Sequence, residues 1–165
     1  IMAVAVCDDP DLFECRGFEG GSFRDCTRVA ALDVPLWKEL MTLNADALTQ
    51  VIILSDTFEQ FAKPLMEKLN WPTIFCNTLE VAPDGAITGY RMRCPQSKLT
   101  TVKALQSIGY ETIASGDSYN DLGMIQASKA GFLFKSTQAI RADHPELPAF
   151  EEFGELLEAI KGAIG

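Results

Sequence analysis

Val51-Ile52-Ile53-Leu54-Ser55-Asp56-Thr57-Phe58 is an apolar run closing on three oxygen-bearing side chains, and Thr112-Ile113-Ala114-Ser115-Gly116-Asp117-Ser118-Tyr119-Asn120-Asp121 repeats that plan further along. Four unbroken apolar residues suit a strand covered on both faces, as in a parallel sheet. Behind the first run, Phe58, Phe61, Leu65 and Leu69 recur at helical spacing, and Pro64 is expected to kink that helix. Behind the second, Leu122 and Ile125 mark another helix.

Outward from these units the same alternation continues. Thr73-Ile74-Phe75-Cys76 and Ala86-Ile87-Thr88 flank Pro83-Asp84-Gly85, which reads as an antiparallel hairpin. Leu99, Val102, Leu105 and Ile108 trace a helix, Gly131-Phe132-Leu133-Phe134 a strand, and Phe153, Leu156, Leu157 and Ile160 a closing helix. Upstream, the opening apolar residues form a strand that ends at Cys7-Asp8-Asp9-Pro10-Asp11. A helix is expected from 35 to 44, while residues 10 to about 34 show weak periodicity, with 12 to 34 read as a short insert at the cap position. The series is an α/β, doubly wound parallel sheet with one small antiparallel hairpin, read as a single domain over residues 1 to 165.

Composition narrows the function classes. A net charge of −9 with no basic stripe argues against nucleic acid. No apolar run approaches the ~20 residues of a membrane helix, so the expectation is a soluble, cytoplasmic protein without a membrane partner. Five scattered cysteines form no C-x-x-C pair and read as reduced thiols. The acidity would also repel a small anion, so an anion site here requires local positive charge.

In a doubly wound sheet, ligands collect at the carboxyl ends of the strands. Those ends carry Asp9 with Asp11, Ser55 with Thr57, and Asp117 with Asp121. Asp117 and Asp121 lie four residues apart, where Gly116 allows a tight turn; crowded hard oxygens suit Mg²⁺. Ser55 offers a hydroxyl, with the N–H groups of Asp56 and Thr57 opening toward a helix start, which suits phosphate. Helix capping is the alternative for both segments. Lys98 is expected at a helix start, where the helix dipole disfavours a cation, so its place calls for a separate reason. His144 sits in a polar loop and reads as an exposed residue.

Together these residues resemble the haloacid dehalogenase superfamily, in its phosphoserine phosphatase-like branch and nearest its phosphoserine/homoserine phosphotransferase subgroup. The resemblance rests on the Ser55-Asp56-Thr57-Phe58 and Lys63-Pro64-Leu65-Met66 segments, the hairpin, Lys98 and the Gly116 to Asp121 run, and covers about residues 50 to 155. It implies Asp9 as nucleophile, Asp11 as acid and base, Lys98 as neutralising cation, and phosphate contacts from Ser55, Asp56, Thr57 and Asn120. It further implies Mg²⁺ held by Asp9, Asp11, Asp117 and Asp121. The implied reaction is hydrolysis of a small phosphorylated metabolite such as phosphoserine, or transfer to an alcohol such as homoserine.

Two departures bear on this. Asp8 beside Asp9 leaves the register of the nucleophile open, and residues 12 to 34 are too few for the full helical cap, so a reduced or missing cap is expected. The alternatives are an impaired domain that binds a phospholigand or protein, and a receiver-type phosphoacceptor, for which the motif order is wrong. A homodimer stays open.

Overall fold

The computed structural model describes residues 2–4 and 49–164, with side chains described from residue 49 onward. The expected 35 to 44 helix and the 12 to 34 insert lie outside the described residues, as do the side chains of Asp8, Asp9 and Asp11.

Among the described residues, seven strands form one sheet in the order β4-β3-β2-β1-β5-β6-β7. These are β1 (Met2–Val4), β2 (Val51–Phe58), β3 (Thr73–Val81), β4 (Ile87–Arg91), β5 (Ile113–Gly116), β6 (Ala130–Phe134) and β7 (Ala149–Phe150). All neighbours are parallel except β3 and β4, which form the antiparallel hairpin. Among the described residues there are five α-helices: α1 (Glu59–Lys68), α2 (Ser97–Ser107), α3 (Leu122–Ala127), α4 (Gln138–Asp143) and α5 (Phe153–Ile164). Among the described residues, no helix is long and apolar enough to cross a membrane.

The pleat of β2 explains the two layers. Val51 and Ile53 point to one face and pack with Ala62, Leu65 and Met66 of α1 and with Leu156, Leu157 and Ile160 of α5. Ile52 and Leu54 point to the other and meet Val102 of α2, Met124 and Ile125 of α3, and Ile140 of α4. Successive strand side chains alternate sides, so an unbroken apolar run is the pattern of a strand covered twice. Truncating a residue such as Leu54, which is fully buried, costs ~2–5 kcal/mol in comparable cores.

Several expectations change in detail. Thr73, Ile74 and Phe75 pair in parallel with β2, and only the second half of β3 pairs with β4, so one strand serves both the main sheet and the hairpin. Phe58 ends β2 and stands at the N-cap of α1 instead of on its apolar face, and α1 continues from Glu59 through Pro64. Ile108 lies just past α2 and is 70% exposed; the buried face of α2 is Ser97, Lys98, Thr101 and Val102. The short α4 and β7 flank His144, whose ring Nδ1 lies 3.2 Å from Glu146 Oε1 and is half-buried.

A Cβ placed on Gly131 of β6 would lie 2.3 Å from the Ile125 carbonyl oxygen. The absence of a side chain there lets α3 close onto the sheet. Gly131→Ala is expected to lose ~1–3 kcal/mol of stability through overpacking, whereas Gly162→Ala, with open space around it, is expected to gain ~0.5–1 kcal/mol. Urea denaturation of both variants checks this; equal midpoints would contradict the close approach.

Candidate active site

The sheet reverses its winding around β1, which pairs with both β2 and β5. Val4 is level with Ile53 and with Ser115, so Ser55 and Asp117 each lie two residues beyond the same level, at the carboxyl edge where doubly wound sheets bind ligands.

Ser55 is buried, and its hydroxyl oxygen accepts a hydrogen bond from the Thr57 N–H at 3.2 Å. The pairing of β2 with β3 shifts register between Leu54 and Phe58, which frees this tripeptide from the regular ladder. The helix begins only at Glu59. The Asp56 and Thr57 N–H groups are therefore in a bulged strand end, three and two residues before the helix start toward which they were expected to open. The Asp56 carboxylate lies 3.3 Å from Lys98 Nζ.

Lys98 occupies the first turn of α2, and its side chain is 7% exposed. Its ammonium donates to Asp121 Oδ1 at 2.7 Å. Asp121 is 1% exposed, and its other oxygen accepts from the N–H groups of Asp117 (3.0 Å) and Ser118 (3.1 Å) and from the Ser118 hydroxyl (3.0 Å). Asp121 thereby closes a capping box on the turn Tyr119–Asp121 that leads into α3. Gly116 is needed for close approach, since a Cβ there would fall 2.5 Å from Asp121. That is a different reason from the tight turn expected of it.

Asp117 is half-buried and Asn120 exposed, both on the loop that Asp121 fixes. Tyr119 donates its hydroxyl to Asp143 Oδ2 at 2.5 Å, and that bond raises the phenol pKa. Among the described residues, no group of three His, Cys, Asp or Glu side chains could hold a metal. The loop is still compatible with a hard cation that takes one or two protein carboxylates, for which Asp117 could offer its carboxylate. Asp121 commits both oxygens to Lys98 and to the loop.

Two residues escaped the sequence reading. Asn77 is buried in β3; its Nδ2 donates to the Asp56 carbonyl at 2.8 Å and its Oδ1 accepts from the Arg93 N–H at 3.0 Å. Arg93 reaches the first turn of α2 through Ser97 and Thr101. The available signal was a polar side chain inside the β-prone run Ile74-Phe75-Cys76-Asn77. Cys76 nearby is half-buried, and burial pushes its thiol pKa up.

A doubly wound sheet with a serine, a buried lysine and an aspartate-bearing loop converging on its switch point has the architecture of the haloacid dehalogenase fold, and the resemblance to its phosphoserine phosphatase-like branch is borne out by known proteins. The chain is 40% identical over 107 residues to the phosphoserine phosphatase ThrH of Pseudomonas aeruginosa, covering 65% of this chain and 52% of that protein. It thus spans about half the length of this curated relative. It shares its fold with a probable phosphoserine phosphatase from Vibrio cholerae at a TM-score of 0.61, with 24% identity and coverage of 82% of this chain and 43% of that one. A phospho-aspartyl intermediate analogue of phosphoserine phosphatase gives 0.57, with 22% identity and coverage of 74% and 61%. The family model described as prephenate dehydrogenase, dimerization domain, matches residues 2–71. That match takes in Asp9 and Asp11 as well as the Ser55 segment; residues 51–68 of it fold here as β2 and α1 of the sheet.

The buried ion pair yields a direct expectation. Lys98→Met removes the cation from beside a carboxylate that is almost fully buried, a change that costs ~3–5 kcal/mol in comparable sites. The double variant Lys98→Met/Asp121→Leu should recover part of that loss. Thermal unfolding of the two variants checks it, and a Lys98→Met protein as stable as wild type would contradict the pairing.

Proposed function

We propose that the chain is an Mg²⁺-dependent phosphomonoester hydrolase acting through an aspartyl phosphate, on phosphoserine or a similarly small phosphorylated metabolite. The observation that carries this reading is the buried Lys98 ammonium, held between Asp56 and Asp121 at the strand edge that also bears Ser55. Supporting it are the names of the relatives reported above. Ser55 holds a phosphoryl oxygen through its hydroxyl and Lys98 neutralises charge as the group moves; Thr57 and Asn120 complete the contacts. Asp121 acts by fixing the loop and the lysine, and Asp56 by flanking the lysine.

A carboxylate oxygen of Asp9 forms a bond to phosphorus as the ester P–O bond breaks, and the Asp11 carboxyl gives its proton to the departing alcohol. Asp11 then takes a proton from water, whose oxygen attacks phosphorus and breaks the bond to Asp9, releasing phosphate. An alcohol such as homoserine in place of that water turns hydrolysis into phosphoryl transfer. Asp117, with Asp9 and Asp11, would hold Mg²⁺, which supplies charge neutralisation on the phosphoryl oxygens. One catalytic core with residues 12 to 34 in the cap position, acting in serine biosynthesis in the cytoplasm, completes the reading.

A second reading rests on the prephenate dehydrogenase match over residues 2–71. In it, residues 49–164 provide a phosphate-binding half-site, and the segment bearing Asp9 and Asp11 serves another role. Phosphate release from phosphoserine and a panel of phosphomonoesters, with Mg²⁺ and with EDTA, separates the two. Turnover should vanish with EDTA and in Asp9→Asn, survive in Asp8→Asn, and fall at least ~100-fold in Asp117→Asn. No release from any ester would leave the half-site reading standing; equal rates with Mg²⁺ and EDTA would contradict metal dependence.

A further inference from the structure

Asn77 stands where β3 leaves β2 for β4: its last partner in the parallel ladder is Phe58, and the next residue, Thr78, already pairs with Arg91. It is 2% exposed and uses both ends of its amide, donating to the Asp56 carbonyl and accepting from the Arg93 N–H. Arg93 carries the connection onward. Its guanidinium donates to the Ser97 carbonyl at 3.1 Å, to the Ser97 hydroxyl at 2.8 Å and to Thr101 Oγ1, all in the first turns of α2. A cation there opposes the helix dipole, and face-on contact with Phe75 at 4.9 Å holds it in place.

A continuous series of hydrogen bonds thus runs from the backbone beside Ser55 to the residue before Lys98, alongside the Lys98–Asp56 ion pair. We propose that Asn77 is a positioning residue that sets the Ser55 loop against the Lys98 helix, so that hydroxyl and ammonium face one phosphoryl group. The proposal rests on the phosphomonoester reading above and adds a residue that touches neither substrate nor metal. The donor end of the amide is the essential part: an isosteric carboxylate would still accept from Arg93 but would face the Asp56 carbonyl with a second acceptor.

The test compares wild type, Asn77→Asp and Asn77→Leu by phosphoserine kinetics with Mg²⁺ and by amide hydrogen exchange followed by mass spectrometry. Both variants should lose ~10–100-fold in kcat/KM, because small misplacements of reacting groups are costly. Exchange should rise in residues 54–58 and 93–101 and stay unchanged in 113–116 and 130–134. Unchanged exchange in the first two segments, or a uniform rise across the sheet, would overturn the proposal, as would kcat/KM within twofold of an active wild type. A wild type without turnover would count against the phosphomonoester reading, and the exchange pattern would still decide the role of Asn77.

Discussion

The buried contact between Lys98 and Asp121 organises everything at the carboxyl edge of the sheet. An ammonium with 7% side-chain exposure beside a carboxylate with 1% can persist only if each charge is matched and the remaining lone pairs are satisfied. Asp121 meets that condition by accepting three further hydrogen bonds from Asp117 and Ser118, and it can do so because Gly116 leaves space beneath it. One carboxylate therefore fixes the lysine, the shape of the loop after β5, and the place of Asp117 at the strand end. Asp56, reaching the same ammonium from β2, ties the opposite side of the switch point to this centre.

The sheet supplies the framework that makes such a small constellation exact in position. β2 and β5 flank β1 in matching register, so Ser55 and Asp117 emerge at the same level. The helices that follow are pressed onto both faces by alternating apolar side chains. In a protein of net charge −9, a phosphate site has to be assembled from local cations. Lys98 and Arg93 both place a cation at the start of α2, against the preference of the helix dipole and therefore under the hold of specific partners; of the two, Lys98 is the one at the carboxyl edge of the sheet that the proposed function draws on.

Strand β2 was legible because four consecutive apolar residues admit few alternatives, and the Gly116 to Asp121 run was legible because its glycine and carboxylates follow such a strand. What could not be read came from distance in the chain. Asn77 joins residues 21 and 16 positions away, and nothing local distinguishes it from a polar residue facing solvent. Thr73 to Phe75 look like one arm of a hairpin, yet neighbouring β2 captures them. Ile108 continued the helical period past the end of the helix, where a period alone cannot mark the stop. Asp121 appeared as a metal ligand from spacing; its commitment to Lys98 emerges only when α2 is folded back against the loop. Asp9 and Asp11 lie in the segment outside the described residues, and their roles rest on the resemblance alone.

The central claim is that Ser55, Lys98 and Asp117 converge on one phosphoryl group, and a crystal structure of the full chain with Mg²⁺ and tungstate, a heavy analogue of phosphate, tests it most directly. The account predicts an anomalous peak for tungsten within hydrogen-bonding distance of both Ser55 Oγ and Lys98 Nζ, with the cation on Asp117. A peak bound elsewhere, or none at the strand edge with tungstate in excess, would contradict it.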